Sequence, residues 1–233
     1  MRKNKMMRLA SALLVAVLLS TCAISGTFAK YVTSDSATDT ARVAKWGVEV
    51  TTSSDIFNET YATHDTVTAD GKFANSVAVD STGTNLVAPG TDNSVEFSVT
   101  GTPEVGVKVD FVFTVNSDVV IPAGTTVATG NTLAANYTPV VFTLKQGSTV
   151  IATGTLADIK AVFDAESAVY APNTNLATEL GTYTLSWAWD FHTSDANDQA
   201  DTYLGNVAAG LVTDTNTKTA IDFEFVITVT QVD

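Results

Sequence analysis

The chain has 233 residues and carries 25 Asp and Glu against 12 Lys and Arg, a net charge of −13. So acidic a surface repels nucleic acid and anionic membranes, which excludes both as partners. The single cysteine, Cys22, excludes an intramolecular disulfide, and the length suffices for one large domain with its own core.

At the start, Arg2, Lys3, Lys5 and Arg8 form a positive segment, and Leu9 to Leu19 follow as an eleven-residue apolar run. Thr27 and Ala29 then supply small residues at the −3 and −1 places of a cleavage site. The pattern predicts an export signal over residues 1–29, cut between Ala29 and Lys30. The apolar run is shorter than the roughly 18 residues of a bilayer span, so no membrane attachment is expected after cleavage. Leu19-Ser20-Thr21-Cys22 resembles a lipobox, but Thr21 is a poor residue ahead of a lipidated cysteine and Ala29 offers the better site. Residues 1–29 hold four of the basic residues and none of the acids, so the mature chain has 204 residues and a charge of −17. The expected organisation is a signal over 1–29, an N-terminal segment over 30–45 and a β-domain over 46–233, exported to the cell surface or its matrix.

Period-2 alternation dominates the mature chain and predicts half-buried antiparallel strands. A short strand is expected over Val43 to Thr51, a polar loop from Ser53 to Asn75, and another short strand over Val77 to Val79. After the turn Ala88-Pro89-Gly90, Val95, Phe97 and Val99 alternate with Ser94, Glu96 and Ser98. The turn Gly101-Thr102-Pro103 leads to a face of Val105, Val107, Val109, Phe111, Phe113 and Val115. Val140 to Lys145 and Val150 to Thr153 form a hairpin about Gln146-Gly147-Ser148.

A helix is expected after Thr155, whose side chain and Asp158 fit a capping box. Leu156, Ile159, Val162 and Phe163 share its apolar face, which suits a plug at one end of the domain. Tyr183, Leu185, Trp187, Trp189 and Phe191 form the next strand face, read as core rather than as a carbohydrate platform. Asp195 to Thr219 reads as a long polar loop, and Ile221, Phe223, Phe225, Ile227 and Val229 as the last strand. The fold class expected is all-β: an antiparallel, jelly-roll-like β-sandwich with one short helix and long loops.

Little in the chain points to catalysis. His64 and His192 are the only histidines, no His-Glu-x-x-His pair exists, and no Gly-x-Ser-x-Gly turn presents a serine. No enzyme activity and no cofactor are expected. The acidic stretch after Asp190 fails as an EF-hand loop starting at Asp195. Asn197 fits position three, but Ala200 falls where glycine is needed and Asn206 where a bidentate Glu is needed. A looser calcium site using Asp195, Asn197, Asp198 and Asp201 stands as the candidate metal site, against solvated loop residues.

Two segments near the start carry a family likeness. Gly26 to Ser34, followed by Thr40-Ala41-Arg42-Val43-Ala44-Lys45-Trp46-Gly47-Val48, resembles exported proteins with a SipW-type signal peptide, the camelysin/TasA-like proteins of bacterial biofilm matrices. Val87 to Thr91, Gly101 to Val105, Trp187 to Gly205 and Ile227 to Val232 are similar to members of the same group. The resemblance implies processing by a SipW-type signal peptidase and a jelly-roll-like subunit that polymerises with copies of itself, with or without an accessory matrix subunit. It also implies that the N-terminal segment of one subunit adds as a strand to the next. Here that donor would comprise Lys30, Tyr31, Val32, Thr33, Ser34, Asp35, Ser36 and Ala37 and extend toward Thr40. The alternative reading is a cell-surface adhesin or glycan-binding module, for which Tyr61, Phe73, Tyr170 and Tyr203 would gather on one face. A secreted hydrolase would need His64 or His192 beside an activated serine or a metal.

Overall fold

In a computed structural model of the chain, residues 12–16, 41–52, 56–57 and 85–232 are described. The chain divides into two units, Met1–Arg42 and Val43–Asp233. In the first, residues 12–16 are helical and exposed. Ala29, the expected donor Lys30 to Ala37, the expected strand Val77 to Val79, and His64, Tyr61 and Phe73 lie outside the described residues. Among the described residues no helix is long and apolar enough to cross a membrane.

The second unit is mostly antiparallel β-structure, as the alternation requires. Its strands among the described residues are β1 (Val48–Thr52), β2 (Thr91–Gly101), β3 (Val107–Ser117), β4 (Thr126–Ala128), β5 (Asn131–Thr132), β6 (Val140–Gln146), β7 (Thr149–Gly154), β8 (Ala168–Tyr170), β9 (Thr182–Trp189) and β10 (Asp222–Gln231). A five-stranded sheet has the order β1-β2-β9-β6-β7, a three-stranded sheet the order β10-β3-β8, and β4-β5 stands as a small hairpin. The register sets Val95 against Leu185 and Leu185 against Leu144, so one apolar row crosses three strands. In the other sheet Phe225 faces Phe113 and Ile227 faces Phe111.

The apolar faces of these two sheets share one core, in a sandwich-like arrangement. The Phe97 ring of β2 lies 4.7 Å from Phe225 of β10, and Phe111 of β3 lies 5.6 Å from Tyr183 of β9. Helix α1 (Leu156–Phe163) completes that core. Asp158 accepts from the backbone N–H and the hydroxyl of Thr155, both at 2.8 Å, closing the first turn. Its Phe163 ring then sits 4.7 Å from Phe225 and 5.5 Å from Phe113, with Leu156 and Ile159 fully buried beside it. Asp118, just past β3, caps the same helix by accepting from Leu156 N–H at 3.2 Å.

β1 joins β2 through a close crossing at Gly101. This residue has φ +117°, and a Cβ there would strike the Gly47 carbonyl, so glycine is required on both conformational and steric grounds. Just upstream, Lys45 N–H donates to the Glu104 carboxylate at 2.8 Å and Glu104 N–H to the Lys45 carbonyl at 2.9 Å.

Two expectations are corrected. The expected single helix is joined by α2 (Leu176–Leu180) and α3 (Asp195–Ala208). Residues 195–208, expected as loop, form a 14-residue helix because Ser194 caps it, Asp195 and Asp198 complement the positive end of its dipole, and Ala200, Tyr203, Leu204 and Val207 make an apolar stripe. Phe191, expected on the core face of β9, is 72% exposed because the strand ends at Trp189.

Candidate functional site

β9 delivers the chain at Trp189 into a short connection, Asp190 to Ser194, which feeds α3. At its N-cap the Ser194 hydroxyl accepts from Asn197 N–H at 3.2 Å, which orients the first turn. Asp195 and Asp198 are three residues apart on that turn and therefore share a face. His192 reaches the same face from the connection, and its Nδ1 lies 2.7 Å from Asp198 Oδ2. Ligand atoms of His192, Asp195 and Asp198 all fall within 4.8 Å of one another.

The other two residues of the expected calcium site are placed elsewhere. Asn197 donates its side-chain amide to the Thr193 hydroxyl. Asp201 points inward, where its Oδ1 accepts from Tyr137 Oη at 2.8 Å and from Trp189 Nε1 at 3.2 Å. Burial pushes the Asp201 carboxyl up, and the two hydrogen bonds pull it back in part. The same burial, with Asp201 as neighbour, raises the Tyr137 phenol. Asp201 thus ties α3 to β9 and to the segment before β6.

His192 is not among the residues that the sequence marks for this site. It lies outside the helix and six residues before Asp198, a spacing that matches no metal-ligand pattern within a single helix. The only signal was its position just ahead of an N-cap followed by two acids.

Around this cluster the helix is held on two sides. Asn131 of the β4-β5 hairpin donates to the Ala196 carbonyl at 3.2 Å and to Gln199 Oε1 at 3.0 Å. On the far side Asp214 accepts from Tyr203 Oη at 3.0 Å and from the Thr217 hydroxyl at 2.6 Å. The Thr217 bond, with Asn216 N–H, holds the Asp214 carboxyl below the usual carboxylate range. Tyr203 and Tyr170, expected as parts of one aromatic patch in the adhesin reading, lie on α3 and β8 and are both partly buried.

Elsewhere, the outward face of the five-stranded sheet carries an open groove lined by Asp92, Ser94, Thr143, Ser186 and Asp190, with no histidine among the described residues that line it. Strand β10 ends the three-stranded sheet: among the described residues it pairs with β3 alone. Its inward row, Phe223, Phe225, Ile227 and Val229, is only partly buried, whereas Val109, Phe111 and Phe113 of β3 are 3% exposed or less.

No family model, no curated protein and no solved structure matches the chain.

Proposed function

We propose that this chain is the structural subunit of an extracellular matrix fibre, exported and then assembled head-to-tail by strand addition onto a jelly-roll-like β-sandwich. The observation that carries the reading is the open edge of β10. A ten-residue strand with one side unpaired among the described residues offers a row of backbone N–H and C=O groups, and its apolar face lacks the cover that β3 enjoys. An extended segment laid beside it satisfies both needs at once. A head-to-tail contact of this kind does not close on itself, so it yields a filament.

The donor in this reading is Lys30 to Ala37 of the next copy, released by cleavage after Ala29, and the partners are further copies of the chain. A SipW-type signal peptidase performs the cleavage, and an accessory matrix subunit is compatible with the scheme. The role is structural, with no cofactor and no catalytic residues assigned. The alternative, a monomeric surface-binding module, is separated by one experiment: negative-stain electron microscopy of the chain from Lys30 beside a version lacking Lys30 to Thr40. Filaments from the first and none from the second support the fibre subunit. Monodisperse particles from both overturn it in favour of the binding module.

A further inference from the structure

We propose that His192, Asp195 and Asp198 bind a divalent cation of the zinc class. The donor set is one imidazole nitrogen and two carboxylates from two separate segments, already gathered within 4.8 Å. Zinc bonds to nitrogen and oxygen of about 2.0–2.2 Å place tetrahedral ligands about 3.4 Å apart, a spacing that small side-chain rotations reach from here. In the protein as it stands, the 2.7 Å hydrogen bond between His192 Nδ1 and Asp198 Oδ2 occupies one side of that space, and a cation would take its place.

Two features favour a cation over solvent. The Asp195 carboxylate makes no hydrogen bond or ion pair among the described residues, although it sits beside a second acid. Between Lys160 and Lys218 the sequence holds eight Asp and Glu and no Lys or Arg, so His192 is the only side chain in that stretch able to carry positive charge. The positive end of the α3 dipole opposes a cation, and the paired carboxylates offset it. The imidazole directs the choice of ion: calcium and magnesium take oxygen donors in larger numbers, whereas nitrogen with carboxylate suits zinc and its neighbours. The framework is already fixed by the Ser194 cap and by the Asn131 clasp on Ala196 and Gln199, so binding would order few further groups. The bound ion would clip the β9–α3 connection to the first turn of the helix.

The test is calorimetric titration of the mature chain from Lys30 with zinc, and separately with calcium. His192→Ala, Asp195→Asn and the exposed control Glu224→Gln are measured alongside, with circular dichroism confirming the fold of each. The expected result is one saturable zinc site, weakened about tenfold or more in the two site variants, unchanged in the control, and not matched by calcium. Equal zinc binding in all four proteins, which would mean diffuse attraction to an acidic surface, overturns the proposal, as does the absence of saturable binding.

Discussion

The indole Nε1 of Trp187 donates to the carbonyl oxygen of Ile56 at 3.1 Å, joining positions 131 residues apart. Asn93 Nδ2 donates to the same oxygen at 2.9 Å, and the neighbouring Phe57 ring lies 5.4 Å from the Trp187 ring. The Ile56–Phe57 pair is thereby fastened to the centre of the five-stranded sheet. Trp187→Phe keeps the aromatic bulk and removes one of the two donors. It should cost about 1 kcal/mol in urea-induced unfolding, the ordinary net worth of such a bond. The amides around Ile56 should exchange faster while those of β9 stay protected.

Phe163 and Phe191 offer a paired test of the core. Phe163 is fully buried among Phe97, Phe113, Phe225 and Tyr183. Phe163→Ala should destabilise by about 3–5 kcal/mol through lost burial and the cavity left behind. Phe191→Ala, on an exposed ring, should change the unfolding free energy by less than about 0.5 kcal/mol.

Asp201 gives a pH prediction of unusual sign. Burial raises its folded carboxyl, so the native state holds the proton more tightly than the unfolded chain does. Its contribution is therefore fully present below the ordinary carboxylate value of about 3.9 and is lost as pH rises through the raised folded value. Both of its hydrogen bonds end on Oδ1, an acceptor that asparagine retains. Asp201→Asn should then be as stable as the parent or more so at pH 7. The advantage should vanish as pH falls toward about 4, measured as urea midpoints across that range.

Salt should govern the rate of the proposed assembly. Copies of the chain from Lys30, with a charge of −17, repel one another, and ionic strength shortens the reach of that repulsion from about 30 Å at 0.01 M to about 8 Å at 0.15 M. Light scattering of the chain from Lys30 should show a shorter lag in sodium chloride than in low salt. Potassium chloride should match it.

The strands were the legible part of this chain. Alternation located β2, β3, β9 and β10 to within two or three residues, because a half-covered sheet demands apolar residues at every second position. Sheet order was not legible: nothing local says that β9 lies between β2 and β6, since pairing is decided by whole faces meeting across the core. Alternation also runs past the end of β9, for Phe191 continues the pattern into a stretch that no strand among the described residues pairs. α3 was readable in principle, with a serine cap, two early acids and an apolar stripe, yet its Asn, Asp and Thr content reads as loop when composition alone is weighed. The meeting of His192 with Asp195 and Asp198 depended on that helix and was hidden with it. Asp201 reads in the sequence as one more solvent-facing acid, because its buried partners, Tyr137 and Trp189, come from outside its own helix.

The clasp between Lys45 and Glu104 has a mechanical consequence. In chain order it lies ahead of the Gly47–Gly101 crossing and of every β1–β2 pairing. Tension applied through residues upstream of Lys45 meets those two hydrogen bonds before it reaches β1. Their rupture under a pulling force would mark a yield point ahead of the strands, with both sheets still intact behind it.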